Sequence, residues 1–112
     1  MENGVLINME KWLIFLSSRV TDDIALVWTR LVGNIQPDNC SELSQLDVPL
    51  TKKKLDVALK TLKKWKLIRD TSKADFYMIS PEYVLYDMEK YNEYVNKFSQ
   101  KVITTQRYPK RQ

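Results

Sequence analysis

The residues best suited to chemistry in this 112-residue chain are lysines concentrated in one segment. Between residues 51 and 73, nine lysine and arginine residues accompany only two acids, Asp56 and Asp70. This segment therefore carries a charge of +7, although the whole chain carries only +4. Such a local excess attracts anions, above all the phosphates of nucleic acid. The alternative interpretation is a basic helix face that is merely solvated.

Other kinds of chemistry lack their usual residues. The chain has no histidine and two glycines, so the commonest general base, the commonest metal ligand and a glycine-rich phosphate loop are missing. Its acids are scattered along the sequence. We therefore expect no enzyme activity, no metal or other cofactor, and no small-molecule ligand.

The composition is that of a globular protein with one domain, being 44% hydrophobic and 29% charged. The single cysteine, Cys40, cannot form an internal disulfide, and we expect it to be a small hydrophobe at least half buried. The longest apolar runs, residues 12–16 and 24–28, are far shorter than the roughly 20 residues that span a bilayer. We expect a cytoplasmic protein without a membrane span or secretion leader.

The first half of the chain has the apolar spacing of helices. A short edge strand at residues 5–8 is predicted to precede a helix over residues 9–17. A second helix begins after Thr21 or Asp22, which are good N-caps, and ends at residues 33–34. Its predicted buried face consists of Ile24, Val27, Trp28, Leu31 and Val32.

Two further helices are predicted before residue 67. Ser41 should cap a brief helix that carries Leu43 and Leu46. After a break, Thr51 should cap a longer basic helix. Its predicted core stripe is Leu55, Ala58, Leu59 and Leu62. A short helix, a turn and a longer basic helix have the spacing of a helix-turn-helix.

The segment after the basic helix predicts a β-hairpin. Residues 67–71 and 76–79 have the composition of strands, and residues 72–75 that of a turn. A hairpin directly after a basic helix is typical of a wing. The predicted fold is therefore α+β, mostly α: a winged helix-turn-helix domain over residues 1–86, with a C-terminal helix extension.

The predicted extension is a helix over residues 87–104. From Val84 onward, apolar residues are separated by 4, 3, 4, 3 and 4 positions, which is coiled-coil spacing. The stripe could pack on its own domain, but a palindromic DNA site favours a homodimer. The predicted dimer contacts are Met88, Tyr91, Val95, Phe98 and Val102. The basic tail, residues 105–112, is expected to be mobile or to act as an arm on DNA.

The core stripe of the basic helix fixes which of its residues face outward. Lys53, Lys54 and Val57 lie in the N-terminal half, so we expect them to approach base edges. Lys60, Lys63 and Lys64 should contact phosphates instead. The predicted DNA contacts are Thr51, Lys52, Lys53, Lys54, Val57, Lys60, Thr61 and Lys64 in the helix, with Arg69 and Lys73 in the hairpin.

Two runs resemble the RepL-type plasmid replication proteins and their phage and mobile-element relatives. Residues 50–68 carry a threonine cap, an alanine and leucine core and a closing Leu67-Ile68 step, with Lys66 where glycine is common. The run Tyr77-Met78-Ile79-Ser80-Pro81-Glu82-Tyr83 is similar to the family's Tyr-Met-Ile-Asn-Pro ending of the wing. The resemblance spans about residues 20–86. It implies a cytoplasmic protein that binds DNA at a replication origin or operator.

The sequence leaves two functions open. The first is a homodimer that binds double-stranded DNA, as a replication initiator or transcriptional regulator of a mobile element. The second is a winged-helix interaction module whose lysines meet an acidic partner protein. Phosphate contacts make affinity fall steeply with salt, so salt-dependent duplex binding separates the two.

Overall fold

The computed structural model describes residues 6–8, 10–12, 20–44 and 47–109. Its elements are β1 (Leu6–Ile7), α1 (Asp22–Gly33), β2 (Cys40–Glu42), α2 (Lys52–Lys64), β3 (Ile68–Asp70), β4 (Phe76–Ile79), β5 (Val84–Leu85), a 3-10 turn (Met88–Lys90) and α3 (Tyr91–Phe98). Residues 10–12 are also helical, whereas most of the helix predicted over 9–17 lies outside the described residues. The predicted α+β class is confirmed.

The described strands form two antiparallel sheets. The larger has the order β2-β4-β3, with Cys40 opposite Met78 and Ile68 opposite Ile79. The smaller pairs β1 with β5, which confirms the edge strand expected near residue 6. The hairpin of β3 and β4 is also confirmed.

One face of the larger sheet packs on α1 and α2. The Thr21 hydroxyl accepts the N–H of Ile24 at 3.3 Å, so α1 begins where its cap predicts. Trp28 is buried, with its ring centroid 5.7 Å from that of Trp12 and 6.1 Å from that of Tyr83. The predicted stripe of α2 is buried in the same cluster: Leu55, Ala58, Leu59 and Leu62.

The opposite face of the sheet is covered by α3 and by the chain that follows it. Cys40, Met78, Tyr94 and Ile103 form a second buried cluster there. Burial is the main cause that raises the pKa of the Cys40 thiol to about 12, so this cysteine stays a neutral core residue.

The predicted helix does not begin at Ser41, because residues 40–42 form a strand. Their backbone pairs with β4, while the Ser41 hydroxyl donates to the Leu31 carbonyl at 2.6 Å instead of capping a helix. A hydrogen bond of 3.0 Å from the Asp47 N–H to the Ser44 carbonyl makes one tight turn before α2. Leu43 is buried, and Leu46 lies outside the described residues.

The helix predicted over residues 87–104 is also wrong in its extent. It covers only Tyr91–Phe98, because Val84 pairs in β5, Met88 lies in the 3-10 turn and Val102 lies in a bend after the helix. The residue of α3 that enters the core is Tyr94, whose hydroxyl donates to the Pro37 carbonyl at 2.8 Å. The apolar residues thus form no continuous coiled-coil seam.

The C-terminal tail, predicted to be mobile or to act as an arm, packs on the body from Thr105 to Tyr108. The Thr105 hydroxyl donates to the Asp38 carboxylate at 2.6 Å, and Arg107 forms a 2.6 Å ion pair with Glu42. The backbone N–H of Tyr108 donates to the Gln36 side chain at 3.2 Å. Residues 110–112, with the two last basic side chains, lie outside the described residues.

Within the described ranges, no helix combines the length and the apolar composition that crossing a bilayer requires. Over the same residues, no three potential metal-binding side chains lie close enough to hold an ion together.

Candidate nucleic-acid interface

The two ends of α2 are fixed by local hydrogen bonds. At its start, the Thr51 hydroxyl accepts the backbone N–H of Lys54 at 3.3 Å. At its end, Lys66 has a φ of 62°, and the N–H groups of Lys66 and Leu67 donate to the carbonyls of Lys63 and Leu62, both at 3.0 Å. This is a Schellman motif, which turns the chain directly into β3. The left-handed φ explains why glycine suits this position and why lysine there is strained.

The outward face of α2 is basic with one apolar residue. Lys53, Lys60 and Lys64 are exposed, and Val57 between them is 59% exposed. An open depression on this face is lined by Lys52, Lys53, Asp56, Val57 and Lys60. Among the described residues, no acid lies within ion-pairing distance of Lys53, Lys54, Lys60 or Lys64. The predicted outward face is therefore present and electrostatically available.

The first turn of α2 has the opposite charge pattern from that of α1. Helix α1 begins with Asp22 and Asp23 and has Arg30 in its last turn. Helix α2 begins with three lysines and has no acid in its first turn. The backbone N–H groups at a helix N-terminus carry partial positive charge, so cations there are unfavourable and anions are favourable. The lysines of α2 thus reduce its stability but increase its attraction for anions.

Three other predicted contacts of α2 have roles within the protein. The hydroxyl of Thr51 caps the helix, and that of Thr61 donates to the Val57 carbonyl at 2.9 Å. Lys52 forms a 3.3 Å ion pair with Asp56, one turn away. Both of these side chains are largely exposed, so the pair is weak and solvent competes with it.

Lys63 is directed toward the hairpin. Its ammonium lies 3.2 Å from the Asp70 carboxylate and 5.9 Å from the ring centroid of Tyr77. The Asp70 carboxylate therefore competes with a DNA phosphate for the Lys63 ammonium.

Arg69 does not point outward as predicted. Its guanidinium donates to the carbonyls of Phe98, Gln100 and Lys101, the last two at 2.7 and 3.5 Å. The alternation along β3 explains this position, because Arg69 lies opposite Met78, on the face that α3 covers. Lys73, by contrast, is exposed at the hairpin turn, with its ammonium 5.3 Å from the Phe76 ring centroid.

The segment that sequence reasoning missed is the C-terminal strap, residues 99–103. It lies beside the hairpin, where the Ser72 N–H donates to the Ile103 carbonyl at 2.7 Å. Ile103 is buried, whereas Lys101 is exposed. Ile103 was the only sequence signal for this packing, since an isolated apolar residue after a helix often anchors the chain.

Comparison of the chain with models of known protein families, with curated proteins and with solved structures finds no match. The interface is therefore interpreted from its own geometry and charge.

Proposed function

We propose that the protein binds double-stranded DNA through α2, in the manner of a winged helix-turn-helix, and catalyses no reaction. The observation that carries this proposal is the lysine face of α2: Lys53, Lys54, Lys60 and Lys64 have no acid partner among the described residues. Lys53 and Lys54 lie in the first turn, where positive charge destabilises the helix. Lysines that destabilise the helix in which they lie are best explained by an anionic ligand that binds them. Among biological anions, duplex DNA matches a linear, helix-sized basic face.

The topology supports this proposal. Strand β2 precedes α2, and the hairpin of β3 and β4 follows it. Strand β4 lies in the centre of the sheet, between β2 and β3. A winged helix has this order of elements, and in the proposed arrangement the residues between β2 and α2 take the place of the first helix of the helix-turn-helix. In this arrangement α2 enters the major groove.

The residues of the interface divide into two groups. Lys53, Lys54 and Val57, in the first half of α2, approach base edges, where lysine donates to guanine and valine contacts a thymine methyl group. Lys60 and Lys64, with Lys73 at the hairpin turn, contact phosphates. Because lysine is a flexible point charge, sequence specificity is modest.

The proposed setting is a cytoplasmic homodimer of a mobile genetic element, acting as a replication initiator or transcriptional regulator. It rests on the similarity of residues 50–68 and 77–83 to RepL-type proteins. The dimer surface is the exposed apolar group around α3, where Met88 is 64% exposed and Tyr91 is 38% exposed. Two-fold symmetry matches a palindromic operator.

A second candidate function is docking on an acidic protein. The apolar Val57, surrounded by lysines, would also suit an acidic peptide with one apolar side chain. Such an interaction would not give strong, salt-dependent binding to duplex DNA.

The experiment that tests the proposal replaces two lysines of the outward face. Lys53→Ala with Lys60→Ala should weaken duplex binding in fluorescence anisotropy, because two phosphate or base contacts are lost. Because Lys60 contacts a phosphate in each protomer of the proposed homodimer, the variant should lose about 12-fold less affinity than the wild type between 50 and 200 mM salt.

The matched control replaces two exposed basic residues outside α2, Arg30→Ala with Lys90→Ala. It removes the same charge, so it should leave most of the affinity intact if α2 is the binding helix. Neither variant should lose more than a few degrees of melting temperature, since these side chains are exposed, and the loss of Lys53 from the first turn of α2 should raise it slightly. Equal losses of affinity in the two variants would contradict the assignment of α2.

A further inference from the structure

An open cleft of about 430 Å³ runs along the edge strand β3, between the end of α2 and the C-terminal strap. Its charged lining consists of Lys63, Arg69, Lys101 and one acid, Asp70. Asp70 is already paired with Lys63 at 3.2 Å. The cleft therefore has an excess of positive charge, which is unfavourable until an anion compensates it.

The C-terminal basic residues differ in whether they have an acid partner. Lys97 lies 3.8 Å from the Asp38 carboxylate, and Arg107 lies 2.6 Å from that of Glu42. Lys101 has no acid within ion-pairing distance in the described part of the chain. Among the described basic residues from α3 onward, Lys101 is thus the residue without an acid partner, and it also borders the cleft beside the end of α2.

The backbone at Lys101 is held in place from two sides. The Arg69 guanidinium binds the carbonyl of Phe98 at the end of α3 and two carbonyls of the strap, and the Ile103 carbonyl accepts the Ser72 N–H. The Ile103 side chain is 1% exposed and anchors the strap in the core. A contact on a fixed backbone loses less entropy on binding than one on a mobile tail.

We propose that the C-terminal strap forms part of the DNA interface: Lys101 contacts a backbone phosphate beside the end of α2, and Arg69 is the positioning residue that holds Lys101 there. This inference rests on the proposed function. It replaces the direct DNA contact expected of Arg69 with an indirect one. It also explains why the strap carries an exposed lysine, which the packing of Ile103 on the sheet does not require.

The first test compares Lys101→Ala with Lys90→Ala, which removes the same charge before α3. Anisotropy is measured with two duplexes of unrelated sequence at several salt concentrations. Lys101→Ala should weaken binding to both duplexes equally, because a phosphate contact carries no sequence information. Between 50 and 200 mM salt it should lose about 12-fold less affinity than the wild type, because one phosphate contact is removed from each protomer of the proposed homodimer. Lys90→Ala should behave like the wild type.

The second test asks whether Arg69 acts through Lys101. Arg69→Gln should weaken duplex binding when Lys101 is present but have little further effect in the Lys101→Ala background, a non-additivity that a double-mutant cycle measures. Arg69→Lys keeps the charge but loses the planar fork, so it should also weaken binding. Full affinity in Arg69→Lys, or additive losses in the cycle, would mean that Arg69 contacts DNA itself or only stabilises the fold.

The outcomes separate this inference from the function on which it rests. If the wild type fails to bind duplex DNA, both are overturned. If the wild type binds and depends on Lys53 and Lys60 while Lys101→Ala matches Lys90→Ala, only the role of the strap is overturned. Should Arg69→Gln fail to fold, as judged by circular dichroism, Lys101→Glu takes its place and should reduce binding more than Lys101→Ala does.

Discussion

Lys54 illustrates how a single residue can serve binding at the expense of stability. It occupies the third position of α2, and its backbone N–H donates to the Thr51 hydroxyl. A glutamate at this position would complete a capping box by bonding back to the Thr51 N–H, and its charge would suit the helix N-terminus. The chain has instead a lysine, and two more precede it.

Lys54→Glu should therefore change stability and binding in opposite directions. We expect a melting temperature about 2–6 °C higher, measured by circular dichroism, because the cap and the helix dipole are both better satisfied. We expect duplex affinity to fall about tenfold or more, because a negative charge then faces the phosphates. A more stable variant with unchanged affinity would show that this turn of α2 does not contact DNA.

At the scale of elements, the sequence predicted the parts whose signals are local. Thr21 and Thr51 cap α1 and α2 as expected, and the turn composition near residue 73 predicted the hairpin. Strand β2 was missed because Ser41 has the local signature of a cap, whereas its conformation is decided by pairing with Tyr77 far along the chain.

The C-terminal elements were mispredicted for a similar reason. Heptad spacing from residue 84 favoured one long helix, but Arg69 in the hairpin binds the carbonyls from Phe98 to Lys101 and so competes with helix continuation. The same bonds removed Arg69 from the candidate site. A single sequence contains no signal for such a contact between distant residues.

The proposed homodimer forms through the exposed apolar residues around α3. Met88→Glu should convert the dimer to a monomer, because it places a charge in the centre of the apolar contact. Light scattering should give twice the chain mass of 13.3 kDa for the wild type and 13.3 kDa for the variant. Thr29→Glu, an exposed change on α1, should leave the dimer intact. A monomeric wild type would contradict the proposal.

At the scale of the whole molecule, the basic residues fall into two groups. In the first group, Lys11, Lys52, Lys63, Lys97 and Arg107 have acid partners, and Arg69 binds carbonyls within the protein. Among the described residues around α2, the hairpin turn and the strap, the lysines without an acid partner that we assign to DNA are Lys53, Lys54, Lys60, Lys64, Lys73 and Lys101. Four of them, Lys60, Lys64, Lys73 and Lys101, are assigned to phosphates, so the proposed homodimer makes about eight phosphate contacts, which predict a strong dependence of duplex affinity on salt.

The most direct test of DNA binding is the anisotropy of a labelled mixed-sequence duplex titrated with the wild-type protein at 50 and 200 mM salt. We predict micromolar or tighter binding at 50 mM salt and an affinity about 10⁴-fold weaker at 200 mM. No binding at either concentration, or an affinity that salt leaves unchanged, would contradict the account and favour docking of α2 on an acidic protein.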